Sequence, residues 1–230
     1  MDGEDSHGLL VGNRVVLVGA APYLVEWVAI FAAHISVPLG ADSSGSQLVS
    51  GYIGREDALG WAAGWFSVVL LGRILIVTGL RSALADSGRR QPLMDFATAA
   101  MAIGVALEVA TYGIVAGTSW AGAHGATTGE LRVLDSVAFA VNGMLWGPTG
   151  VAILCCAVAM WRSQLFPRVL VIMGIAAGCL LTLLGAVFLA PRYVDVASAL
   201  MIAPALFWVW MLWTGVLLWR RSEKRIPVAV

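Results

Sequence analysis

Three ionisable side chains, Glu26, Arg73 and Glu108, sit inside otherwise apolar stretches of this chain. An ionisable group in hydrocarbon is costly and marks a functional site by default. A carboxyl group shielded from water tends to keep its proton, because burial disfavours the charged form. It can then donate that proton to a substrate or pass it along a relay. Helical spacing supplies neighbours. Tyr23, Glu26 and His34 fall on one broad face of the first apolar segment. Glu108 and Tyr112 lie at i and i+4, as do Asn142 and Trp146, and Trp61 and Trp65, so each pair stacks along one helix face.

The elements that must position these groups are long apolar helices. Of the 230 residues, 60% are hydrophobic and only 12% charged, against about a quarter charged in soluble chains. A spanning helix needs about 20 mostly apolar residues. Six stretches qualify, at roughly 12–37, 59–80, 93–117, 137–161, 168–189 and 198–219. Continuous runs of this kind exclude the alternating pattern of a barrel. The expectation is an all-α, polytopic bundle of six transmembrane helices forming one domain over 1–230.

Arginine placement sets the orientation. With the first end inside, ten basic residues lie on the cytoplasmic side: Arg14, Arg81, Arg89, Arg90, Arg162, Arg168, Arg220, Arg221, Lys224 and Arg225. Arg55, Arg132 and Arg192 lie on the other side. The bias predicts that both termini are cytoplasmic. Two outer connections, 38–58 and 118–136, read as long loops that could cover or gate a site. The acidic opening residues and the long first apolar segment do not fit a cleavable signal peptide. The arginine-for-lysine bias fits a GC-rich bacterial genome, and the expected location is the bacterial plasma membrane.

Depth brings the polar groups together. Counted from the predicted inner ends, Glu26 lies roughly 18 Å deep and Glu108 roughly 22 Å. Asn142 lies about 5 residues below the outer surface, in the same layer. Arg73 reads as lower, in the inner half of the second helix, where it could snorkel inward. Pairing of Arg73 with a glutamate is weakened by that offset. The bland alternative for each Glu is an interhelical hydrogen bond.

Several chemistries are excluded by missing motifs. No DDxxD cluster is present to hold the metals that a diphosphate leaving group needs. There is no HExxH, no GxSxG elbow and no Walker A sequence. No lysine lies in a span, so there is no Schiff base of the rhodopsin kind. Cys155, Cys156 and Cys179 match no zinc or redox spacing and read as small buried hydrophobes. No metal or cofactor is expected. With zero formal net charge, nothing points to nucleic acid.

Leu71-Gly72-Arg73 before a short basic connection, and Phe166-Pro167-Arg168 followed by Gly174 and Gly178, carry a resemblance over most of the chain. In these features the chain resembles a bacterial six-helix membrane family of unknown function. It also resembles the small membrane-bound terpene cyclases of drimentine-type pathways, which act on farnesylated indole or cyclodipeptide substrates. The second resemblance implies a metal-independent cyclase with a lipophilic prenylated substrate. No catalytic residue is carried over from either family.

A proton-initiated cyclisation of that kind needs a buried acid, aromatic faces for carbocations and exclusion of water. From the residues alone, Glu108 is the expected donor and Glu26 its partner or the final base. Tyr23, Tyr112, Asn142 and His34 are the supporting polar groups. Trp27, Trp61, Trp65, Trp146 and Trp208 are the expected cation-stabilising rings. Two rivals stay open: a small-molecule or proton-coupled transporter, and a structural or regulatory membrane protein. The lack of internal repeats weakens the transporter. Pro148 and Pro204 are isolated and read as kinks.

Overall fold

A computed structural model describes residues 14–32, 35–40 and 42–223. It contains ten α-helices and no strand among the described residues: α1 Val15–Ala32, α2 Gly45–Tyr52, α3 Glu56–Val69, α4 Leu71–Asp86, α5 Leu93–Ala123, α6 Thr128–Met144, α7 Trp146–Ser163, α8 Arg168–Val187, α9 Val194–Leu200 and α10 Ala203–Glu223. A short 3-10 turn, Pro191–Tyr193, precedes α9.

Five helical units are long and apolar enough to cross a membrane: Glu56–Asp86, Leu93–Ala123, Thr128–Ser163, Arg168–Val187 and Pro191–Arg221. The α1 helix is a further apolar element that packs against α4, α10 and α3. The outer surface of the bundle is itself apolar. Val18, Val68, Phe96, Ile103, Val169 and Ile172 are all exposed. A soluble protein rarely presents so continuous an apolar face, whereas lipid accepts it.

Three predicted spans are each broken once. The stretch 137–161 is the middle of a longer unit that bends at Leu145, between α6 and α7. Pro148 has no N–H for the carbonyl of Met144, and its ring crowds that carbonyl. The chain answers with a tighter turn, in which Leu145 N–H donates to Asn142 C=O. The stretch 59–80 extends to Glu56–Asp86 and bends at Leu70, where Arg73 N–H donates to Leu70 C=O. Near the end of the chain, Pro204 sits in the first turn of α10, where a missing N–H costs nothing, and the chain turns just before it.

The outer connections also differ from expectation. The segment 118–136 is mostly helix. The α5 helix runs to Ala123, and α6 starts at Thr128. Thr127 caps α6, with Glu130 reaching back to its N–H, a reciprocal capping box. The segment 38–58 carries α2, which is capped in the same way by Ser44 and Gln47.

Heptad-like spacing selects the inward faces. Val16, Gly19, Tyr23 and Glu26 form the buried stripe of α1. Met94, Ala97, Met101, Gly104, Glu108, Thr111, Val115 and Thr118 form that of α5. Steps of three and four residues keep one side of a helix against its neighbours. Both glutamates therefore face the bundle interior rather than lipid.

Candidate functional site

The site begins with a close backbone contact. A Cβ on Gly19 would lie 2.6 Å from the carbonyl oxygen of Gly72, and one on Gly72 would collide with the carbonyl of Gly19. Only glycine at both positions lets α1 and α4 approach this closely, as small residues do between membrane helices. The next residue after Gly72 is Arg73. Glu26 lies seven residues beyond Gly19, on the same face of α1.

Arg73 lies between the two glutamates. Its Nη2 donates to Glu26 Oε1 at 2.6 Å and to Glu108 Oε1 at 3.2 Å, and its Nη1 donates to Glu108 Oε2 at 2.5 Å. Glu108 thus receives a two-pronged grip and Glu26 a single bond. All three residues are buried, with exposures of 2% for Glu26, 5% for Arg73 and 8% for Glu108. The guanidinium also faces the rings of Tyr23 and Phe207, with Cζ 5.2 Å and 5.5 Å from their centroids. Those two rings contact each other in a tilted pair.

The electrostatics follow from counting. Two carboxylates against one guanidinium leave one formal negative charge inside the bundle. A buried unpaired charge is costly. One proton on either carboxyl makes the cluster neutral. Glu26 Oε2 and Arg73 Nε are buried and carry no hydrogen bond among the described residues. Each could still bond a water or a substrate group.

The other expected residues distribute unevenly. Tyr23 is part of the cluster. Tyr112 is half-buried one turn beyond Glu108 and packs on Phe66, with ring centroids 4.2 Å apart. Trp65, Trp146 and Trp208 pack against the main core. The indole nitrogens of Trp65 and Trp146 are buried without a hydrogen bond among the described residues. Trp61 stacks on Trp65 but is 68% exposed, so its ring faces outward. Asn142 is half-buried near the bend before α7, and no described hydrogen bond joins it to the cluster. The side chain of Trp27, and His34 as a whole, lie outside the described residues.

Arg73 is a full member of the site and not a snorkelling residue. Phe207 and Phe66 are further members that spacing did not flag. Three clefts on the described residues lie away from the glutamates. These have volumes of ≈ 640, 440 and 360 Å³ and are lined near Arg81, near Glu130 and near Arg168.

A second buried polar knot lies between the end of α5 and the first half of α6. Asp135, expected in a loop, is fully buried on α6. Its carboxylate accepts the N–H of Leu39 at 2.8 Å, the N–H of Gly40 at 2.7 Å and the hydroxyl of Tyr52 at 2.5 Å. Ser119 donates to the carbonyl of Tyr52. Gly40 has φ +98°, a conformation that suits glycine, and lies over Phe139. The knot ties the 35–55 strap down onto α5 and α6. Burial first, then the hydrogen bond to Asp135, pushes the Tyr52 phenol well above its ordinary range.

Comparison with protein-family models, with curated proteins and with solved structures found no match.

Proposed function

We propose that this chain is a six-span protein of the bacterial plasma membrane, with both ends in the cytoplasm, that uses the Glu26–Arg73–Glu108 cluster as an intramembrane acid. The arginine bias sets the orientation, and α1 supplies the sixth crossing. Under this reading the protein is a metal-independent, proton-initiated cyclase that acts on a prenyl chain borne by an indole or cyclodipeptide.

The observation that carries the reading is the convergence of two carboxyls on one guanidinium. A proton shared by the two carboxyls is available for transfer. Arg73 hydrogen-bonds the carboxylate left behind, which strengthens the acid as protonation of an alkene demands. Tyr23 and Phe207 offer ring faces that favour positive charge, the guanidinium at rest and a carbocation during reaction. Substrate entry requires the bundle to part near Tyr23, Phe207 and Glu26 Oε2, which has no hydrogen bond among the described residues. Water is excluded by the apolar surroundings.

A second reading, a proton-coupled carrier, is favoured by the same arginine. A guanidinium that releases one carboxyl on protonation is also a coupling device for transport. Product analysis separates the two. Membranes carrying the protein are supplied with a farnesylated indole and compared with Glu26→Gln and Glu108→Gln variants. Cyclised product from the wild type, lost in either variant, supports the cyclase. Unchanged linear product from folded protein removes it, and full activity in both variants removes the site. Substrate-dependent proton uptake into proteoliposomes would then support the carrier. Membrane-impermeant thiol labelling of Gly125→Cys from outside, but not of Gly88→Cys, checks the orientation.

A further inference from the structure

The largest of the three clefts lies away from the glutamates, where α4 ends and α5 begins. It has a volume of ≈ 640 Å³ and is lined by Thr78, Arg81, Ser82, Arg90, Gln91 and Asp95, among others. It opens at the arginine-bearing end of the bundle. The α1 helix runs antiparallel to α4, with Val16 against Gly79, so Arg14 belongs to the same end.

The lining is a set of donors. Arg81 Nε lies 2.5 Å from Asp95 Oδ1, an ion pair between two exposed side chains. The two terminal nitrogens of Arg81 carry no hydrogen bond among the described residues. Arg90 is exposed and forms no described ion pair. Thr78 adds a hydroxyl and Gln91 an amide, while the Ser82 hydroxyl donates to Asp86 Oδ2 at 3.5 Å. Two arginines against one aspartate leave the lining one positive charge in excess. On the outward face of α5, Phe96 and Ile103 lie seven residues apart and are both exposed. An apolar track therefore begins beside the polar cleft.

We propose that this cleft binds a phosphate group, through bidentate contact with Arg81 and charge from Arg90. The planar guanidinium fork matches phosphate oxygens in a way that an ammonium does not. The Phe96–Ile103 track favours a phosphate that carries acyl chains, the headgroup of an anionic phospholipid. A free phosphate shares the recognising chemistry. Asp95, exposed beside Arg81, holds down the charge of the cleft.

The test uses full-length protein in detergent micelles. In one arm, native mass spectrometry measures retention of phosphatidylglycerol against phosphatidylcholine with the same acyl chains. In the other, inorganic phosphate is titrated and the unfolding temperature followed. Preferential retention of phosphatidylglycerol assigns the site to a lipid headgroup. A phosphate-dependent rise in unfolding temperature without lipid preference assigns it to free phosphate. Arg81→Gln and Arg90→Gln should each weaken the effect about fivefold. Asp95→Asn should strengthen it, a gain that misfolding cannot mimic. Absence of both effects overturns the proposal, as does full binding in both arginine variants. If those variants fail to fold, Asp95→Asn decides, and unchanged or weaker binding overturns the proposal.

Discussion

Replacing members of the buried cluster one at a time should give an order of stability that only the observed geometry explains. In Arg73→Gln, two buried carboxyls lose their shared cation, which costs about 3–5 kcal/mol, as for removing one partner of a buried ion pair. In Glu108→Gln, the grip by Nη1 at 2.5 Å and Nη2 at 3.2 Å is broken. One strong charge-assisted bond is lost, about 1.5–3 kcal/mol. Glu26→Gln replaces the singly bonded carboxyl by a neutral amide, leaves the two-pronged pair intact and keeps an amide oxygen to accept from Nη2. That change should cost less than about 1 kcal/mol. Unfolding in mixed micelles titrated with sodium dodecyl sulfate measures the series. An Arg73→Gln variant as stable as wild type would refute the reasoning. So would a Glu26→Gln variant as damaged as Arg73→Gln.

Three further outcomes follow from other parts of the molecule. Gly72→Ala places a methyl against the Gly19 carbonyl and should destabilise by about 1–3 kcal/mol; Gly60→Ala, where nothing lies within 4 Å of the added carbon, should be neutral or mildly stabilising in the same titration. Asp135→Asn leaves at least one of the Leu39, Gly40 and Tyr52 donors without its acceptor, at about 1–3 kcal/mol; limited proteolysis should then cut the 35–55 strap first, while α5 to α8 stay intact. Because the Tyr52 phenol is raised in the folded protein, its contribution is complete below its ordinary value of 10.0 and is lost only as pH climbs past it; strap cleavage that rises with pH between neutrality and that value, and no longer does so in Tyr52→Phe, would contradict this.

Much of the scaffold was legible in the sequence. The stretches 93–117 and 168–189 fall within a few residues of α5 and α8, because long apolar runs leave little choice of structure. The bend at Leu145 follows from Pro148. The bend at Leu70 has no proline behind it, and hydropathy carries no trace of it. The capping boxes at Ser44 and Thr127 were readable as S/T-x-x-Q/E, yet loop composition hid them, and Asp135 was placed in a connection for that reason.

Within the site, the two glutamates were legible and their partner was misplaced. The cause was an end assignment. With the second span closed at residue 80, Arg73 appears only about 10 Å from the inner end, far below Glu26 and Glu108. The α4 helix in fact continues to Asp86. Measured from the observed helix ends, Glu26, Arg73 and Glu108 lie at about 17, 20 and 22 Å, one layer. The aromatic residues were less legible, because i,i+4 spacing gives a face but not its rotation. Trp61 and Trp65 share a face, yet Trp61 points outward, and Phe207 was visible only once α10 was packed beside Arg73.

The functional account depends on a proton held by the cluster, and infrared difference spectroscopy of the protein in nanodiscs measures that directly. The wild type at neutral pH should show the C=O stretch of one protonated carboxyl, shifted on deuterium exchange and absent from Glu26→Gln or Glu108→Gln. A wild-type spectrum without that band would mean that both carboxyls are ionised around Arg73, and the cluster would then be a tie between helices with no proton to give.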